Sequence, residues 1–203
     1  MDVSQAEELV FAPPQSRRDT APVDAVRAFV FTSGGGWLRS HGYFERFVEL
    51  VPEERRELLT TATANDWIAL DDALLLYRAC DGLNLSPAEA VEIGKSVAAA
   101  NNGTVMQTVL RLVGKVATPW TALGHLNRAW LRSNRGGAVA VYRASERQAR
   151  MEFWACPLAT SPFFRTSMRG AIAAALDMFC DRCLVQELPE LATHDGFALR
   201  AMW

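Results

Sequence analysis

The sequence predicts an α+β fold, with a helical N-terminal half packed on a C-terminal ββαββ unit that carries a small antiparallel sheet. Three observations lead there. Apolar residues recur at helical spacing from Trp37 to Leu131. Two runs rich in β-formers follow, Ala138 to Ala144 and Arg150 to Cys156, and Pro157 closes the second. Ser161-Pro162 then opens an amphipathic helix reaching about Cys180, and Cys183 to Leu188 and Gly196 to Trp203 supply two more strands.

The elements can be justified in order. Pro13-Pro14, Arg17-Arg18 and Pro22 interrupt any periodicity, so residues 1–22 read as a flexible tail before a single domain over 23–203. Within that domain a helical part spans about 23–117 and the ββαββ part about 118–203. Val26 to Phe31 reads as a short strand entering a turn at Gly34-Gly35-Gly36. The triplet lacks the Lys-Ser/Thr of a P-loop and the spacing of GxGxxG, so it reads as a turn rather than a phosphate cradle. Helices are expected over Trp37 to Leu50, from Glu53-Glu54, and over Trp67 to Cys80. Ser86-Pro87-Ala88-Glu89 has capping-box spacing and opens a helix that stops at Asn101-Asn102-Gly103. Thr104 begins another, ending before Pro119, and Trp120 to Arg132 forms the last before Gly136-Gly137.

Composition sets outer bounds. The chain has 203 residues, is 50% hydrophobic and carries a net charge of -2, so nothing draws it globally to nucleic acid or an anionic membrane. No apolar run approaches the roughly 20 residues of a membrane span. The start, MDVSQAEELVF, lacks the basic and apolar regions of a secretory signal, and four cysteines need no disulfide framework. A cytoplasmic protein is the expectation.

Candidate chemistry is sparse. Cys180-Asp181-Arg182-Cys183 is a CxxC pair, but it follows a helix, where the dipole disfavours thiolate. A zinc site would need further ligands, for which Cys156 is the best candidate beside Cys180 and Cys183. Small inert thiols are the simpler expectation, and no metal or cofactor is assigned. Counting about 100° per residue from Trp120, Leu123, Leu126 and Trp130 share an apolar stripe, and His125 falls opposite, beside Arg128 and Arg132. An axial haem ligand should project into an apolar pocket, so His125 does not suit one. No nucleophile elbow, paired carboxylates or triad pattern occurs, and the chain is not expected to be an enzyme. One basic stretch stands out: Arg128, Arg132, Arg143 and Arg147 with Trp130 and Tyr142 interleaved. It fits an acidic protein partner better than nucleic acid.

Several segments together resemble a myxobacterial family of uncharacterised proteins. That family is distantly similar to haem nitric-oxide/oxygen-binding domains and to vinyl-reductase-like domains. The resemblance covers about Val26 to Trp203. It rests on Trp67-Ile68-Ala69-Leu70, on Gly94 within Val91 to Ala99, and on Thr104 to Val113 followed by Thr118-Pro119. It rests further on Arg150 to Pro157 leading into Ser161-Pro162-Phe163-Phe164 and Met168-Arg169-Gly170, and on the closing Phe197 to Trp203. The resemblance implies a ligand held between the helical half and the sheet, for which Trp67, Met106, Trp120, Phe164 and Met178 are candidate pocket residues. The spacing from His125 to Phe153-Trp154 is similar to that from proximal histidine to the propionate motif in the haem domains. That motif requires Tyr-x-Ser-x-Arg, and this chain has Trp154-Ala155-Cys156-Pro157-Leu158, so no haem site is carried over.

The expected function is a non-catalytic signalling or adaptor module that binds a partner protein and is gated by a small apolar ligand. A haem- or metal-binding sensor domain is the alternative.

Overall fold

A computed structural model describes residues 7–102 and 117–203. The expected helix from Thr104 and the candidate Met106 lie outside the described residues. The α+β expectation holds, with helices in the N-terminal half and antiparallel sheet in the C-terminal half.

The ββαββ unit forms as the turn chemistry implies. Strands β5 (Ala138–Ser145) and β6 (Gln148–Trp154) make a hairpin. Helix α8 (Pro162–Leu176) starts at Ser161, whose Oγ accepts from the Phe164 amide at 3.1 Å. It ends at Leu176, one turn short of Cys180. Strands β7 (Leu184–Glu187) and β8 (Phe197–Met202) follow. Rows of buried residues on β5, β6 and β8, such as Val139–Phe153–Phe197 and Val141–Met151–Leu199, join α8 in one core. Phe153 stacks on Phe197 with centroids 4.4 Å apart, and Phe164 of α8 meets Phe197 edge-on at 5.7 Å.

The far edge of this sheet is a correction to the sequence reading. Residues 8–11, read as part of a tail, form β1 (Glu8–Phe11) and pair antiparallel with β5, so the sheet order is β1-β5-β6-β8-β7. The prolines that break periodicity lie after this strand. An edge strand needs only a partner's free backbone groups, which no local sequence pattern reports. Behind it the outer sheet face carries Glu152, which accepts from Trp154 Nε1 at 2.9 Å and pairs with Arg150. The Arg150 guanidinium lies 4.0 Å from the centre of the Tyr142 ring.

The helical half differs from expectation mainly at its boundaries. Strand β2 (Ala25–Arg27) sits between β3 (Trp67–Ala69) and β4 (Asn134–Arg135). Trp67 to Ala69 is therefore strand, and helix α4 (Leu70–Asp81) begins only after it. Helix α1 (Phe29–Ser40) runs through Gly34-Gly35-Gly36, which the sequence places in a turn. The real break comes at Gly42, whose φ of +77° suits glycine, and α2 (Phe44–Leu50) follows. Glu53–Arg55 is a 3₁₀ turn, and α3 (Leu58–Thr61) is short.

Helix α5 (Pro87–Asn102) starts at its capping box: the Ser86 amide and Oγ donate to Glu89 Oε2 at 2.8 and 2.7 Å. The expected Trp120–Arg132 helix is two pieces, α6 (Pro119–Gly124) and α7 (Leu126–Ser133), broken at His125. The apolar phase survives the break at Leu123 and Trp130, 2% and 4% exposed, whereas Leu126 is only partly buried.

Candidate functional site: an apolar cavity between the two halves

Two helices set the frame of the site. Helices α5 and α8 cross so closely that their backbones touch. A Cβ on Gly94 would lie 1.8 Å from the Ser167 carbonyl oxygen, and one on Gly170 would lie 1.9 Å from that of Val91. Only glycine permits this approach. Beside the crossing, α1, α7 and the Tyr77–Cys80 turn of α4 stand off and border a partly open cavity of about 170 Å³.

The wall comes from both halves of the fold. Helix α1 offers Gly34 and Gly35, α5 offers Ile93 and Val97, and α8 offers Phe164, Met168 and Ala171. Leu126, Ala129 and Trp130 close it from α7, and Phe153 from the sheet. Leu126 keeps partial exposure because it borders this space. The glycines of α1 have a steric role here: a Cβ on Gly34 would sit 3.6 Å from Ile93 Cγ2, an ordinary contact, so their missing side chains leave room.

Polar groups in the wall are engaged locally. Trp130 Nε1 donates to the Gly136 carbonyl at 3.0 Å, Asn134 Nδ2 to Trp130 O at 3.2 Å and Ser167 Oγ to Phe164 O at 3.0 Å. Ser133 Oγ donates to Ala129 O at 3.0 Å. Tyr77 lines the cavity at 4% exposure, and its hydroxyl has no hydrogen-bond partner among the described residues. Burial pushes its pKa up, and likewise that of the neighbouring Cys80 thiol, so both remain neutral.

Of the residues the sequence nominated for a pocket, Phe164 lines this cavity. Trp67 lies on the surface under the Arg27 guanidinium, 3.9 Å from the ring centre. Trp120 packs edge-on against Trp203 and donates to the Glu146 carbonyl at 2.9 Å. Met178 lies in the turn after α8. A large side chain at helical spacing reports burial, whereas room for a ligand comes from small residues, here Gly34, Gly35, Ala129 and Ala171. Glycines inside a helical frame were the available signal.

The four nominated arginines divide. Arg128 and Arg132 are exposed on α7. Arg143 lies near the hairpin tip, 4.9 Å from the Trp120 ring centre and 3.9 Å from Glu8, and Arg147 is exposed in the adjoining turn. The Val139 amide donates to Asn127 Oδ1, so α7 starts beside the beginning of β5, and Arg143 lies roughly 14 Å further along that strand. The cysteines do not assemble: no group of three His, Cys, Asp or Glu among the described residues is placed to hold a metal ion. Burial raises the thiols of Cys156 and Cys183 to about 12, and raises that of Cys180. Protonated thiols are poor ligands.

This architecture, a helical half over a ββαββ sheet with a cavity between them, is the fold of the H-NOX domains, the haem nitric oxide/oxygen binding class. The Fe(II) unliganded H-NOX protein from K. algicida superposes with a TM-score of 0.65 at 9% identity, over 87% of this chain and 95% of that one. An oxygen-binding H-NOX domain related to soluble guanylate cyclases gives 0.57 at 11% identity, over 87% and 94%. A mutant of the T. tengcongensis H-NOX gives 0.52 at 13%, over 86% and 95%. No protein-family model and no curated protein matches the chain. At these identities the likeness defines the fold.

Haem belongs to the H-NOX family, and the described residues of this cavity offer neither a histidine nor a cation for that group. The chain's three histidines, His41, His125 and His194, are all exposed, and none lines the cavity. Among the described lining residues there is no arginine or lysine to meet a propionate. The partly open space of about 170 Å³ is close in volume to the ~150 Å³ engineered cavity that takes benzene or xenon. The glycine crossing holds α5 and α8 together, so the wall they share cannot part without breaking backbone contact. No described helix is long and apolar enough to cross a membrane.

Proposed function

We propose that the protein is a non-catalytic sensor domain that takes a small ligand directly into the cavity between its two halves. The observation that carries this is the partly open apolar space walled jointly by α1, α5, α7 and α8. A ligand there touches both halves and so favours one relative arrangement of them over another, which is what coupling of occupancy to a downstream partner requires. The likeness to H-NOX structures supports a sensor over a simple adaptor. A partner surface on α7, with Arg128 and Arg132 meeting an acidic protein, remains part of the proposal. It predicts salt-dependent association that slows when both charges are reversed.

The second reading is a haem sensor, favoured by the same likeness. One experiment separates the two: native mass spectrometry and an absorption spectrum of protein purified from its own host and then titrated with haem. A retained small organic molecule and no saturable Soret band support direct ligand binding. Stoichiometric haem, lost on His125→Ala, would establish the haem reading and overturn ours.

A further inference from the structure

We infer that the edge of β5 is a docking groove for an extended segment carrying a carboxylate and, four residues on, an aromatic ring. Strand β1 is its resident, and a partner protein's strand of the same pattern displaces it. The residues that hold β1 define the pattern. Glu7, one residue before the strand, pairs with Arg150 on the outer sheet face, and the two side chains are 25% and 14% exposed. Leu9 lies opposite Tyr142 on the same face. A bulge between Leu9 and Phe11 then shifts the register, so Phe11 lies opposite Val141 and packs against the core on the inner face. Strand β1 thus grips the edge of β5 from both faces, with an ion pair on one and a ring on the other.

The groove is shaped to match. Gly124, the last residue of α6, lies against the Phe11 ring: a Cβ there would stand 3.2 Å from Phe11 Cζ and 3.3 Å from Cε1, so a larger residue would crowd the ring. Arg150 is also held by Glu152 and by the Tyr142 ring, both within the sheet, so its guanidinium keeps its place when Glu7 leaves. A second pair, Arg143 with Glu8 at 3.9 Å, is exposed and adds little. As an occupant β1 is weak. It has four residues, meets β5 at three register positions and leaves Leu9 46% exposed. Short edge strands of this kind open at low cost. An edge that loses its strand is a template for another, with main-chain hydrogen bonds giving affinity and side-chain pockets giving specificity.

The test uses the full chain and a labelled peptide copying residues 7–12, Glu-Glu-Leu-Val-Phe-Ala. In the wild type the resident strand competes at an effective concentration of order millimolar, so the peptide should bind weakly. Glu7→Arg sets a cation against Arg150 and expels β1, and this variant should bind the peptide roughly tenfold tighter or more. Replacing the peptide's first glutamate by glutamine, or its phenylalanine by alanine, should each cost about tenfold, as loss of a charge-assisted hydrogen bond or of a buried ring implies. Equal binding to the two chains, or indifference to either peptide change, would overturn the groove. Dimerisation of the variant that the peptide competes away would give the edge to a second copy and overturn the partner. Where Glu7→Arg does not fold, hydrogen exchange of the wild type decides. The hydrogen-bonded amides of β1 should exchange well ahead of those in β6, and equal protection of the two strands would overturn an exchangeable β1.

Discussion

Glycine is used in two opposite ways within a few ångströms of the cavity. At the α5–α8 crossing, Gly94 and Gly170 bring two helices into backbone contact, and a single added carbon would overlap the facing carbonyl. On α1, Gly34 and Gly35 face the cavity with ordinary clearance, and the helix gives up side chains without gaining a close approach. Glycine within a helix costs roughly 0.5–1 kcal/mol relative to alanine. At the crossing that cost is offset by close packing between the halves. On α1 the packing against α5 leaves ordinary clearance, which marks these glycines as serving the space they leave.

The comparison is broken most forcefully at the crossing. Gly94→Ala or Gly170→Ala must push the two helices apart, and we expect at least the ~1–3 kcal/mol of an overpacked core, read as a lower urea midpoint. A midpoint unchanged in either variant would mean that the crossing is looser than described. Next in size is Gly34→Leu, which places apolar carbons in the cavity. It should abolish benzene binding while stability holds or rises by up to about 1 kcal/mol, as cavity filling does. Titration and thermal melting together check this. Strong destabilisation with binding intact would show that Gly34 is needed for packing after all.

A pH-dependent effect on α5 comes third. Hydrogen bonds from Tyr43, then from the Ser86 side chain and amide, hold the Glu89 carboxyl down at about 2. A carboxyl depressed below its unfolded value near 4.5 stabilises the fold above that pH, and this contribution fades as pH falls toward 2. Glu89→Gln should therefore lower stability at neutral pH and flatten the acid limb between those values. An acid profile identical to that of the wild type would rule the contribution out. The smallest effect sharpens the contrast from the other side. Gly36 on α1 is exposed, with nothing within 4 Å of an added Cβ, so Gly36→Ala should stabilise by about 0.5–1 kcal/mol and leave benzene binding unchanged. Calorimetry with and without benzene measures both.

Much of the fold was legible in the sequence because its signals are local. The Ser86–Glu89 box, the Ser161-Pro162 start and the alternation of Val139, Val141, Met151 and Phe153 each act within a few residues, and the structure places them as read. The errors fall where distant chain decides. Residues 8–11 became a strand because β5 had a free edge, and Gly34-Gly35-Gly36 stayed helical because α1 packs on α5. The candidate site was less legible. Size and aromaticity pointed to Trp67, Trp120 and Met178, whereas the cavity depends on residues that leave room. His125 was read correctly as turned from the apolar stripe, since the stripe itself is a local pattern.

The central claim is that the space between the halves is an accessible apolar site of roughly one-ring size, and xenon tests it directly. Diffraction from crystals held under xenon pressure should show a strong peak bounded by Gly34, Tyr77, Val97 and Ala171, absent in Gly34→Leu. A wild-type crystal with no xenon between α1, α5 and α8 would contradict the account.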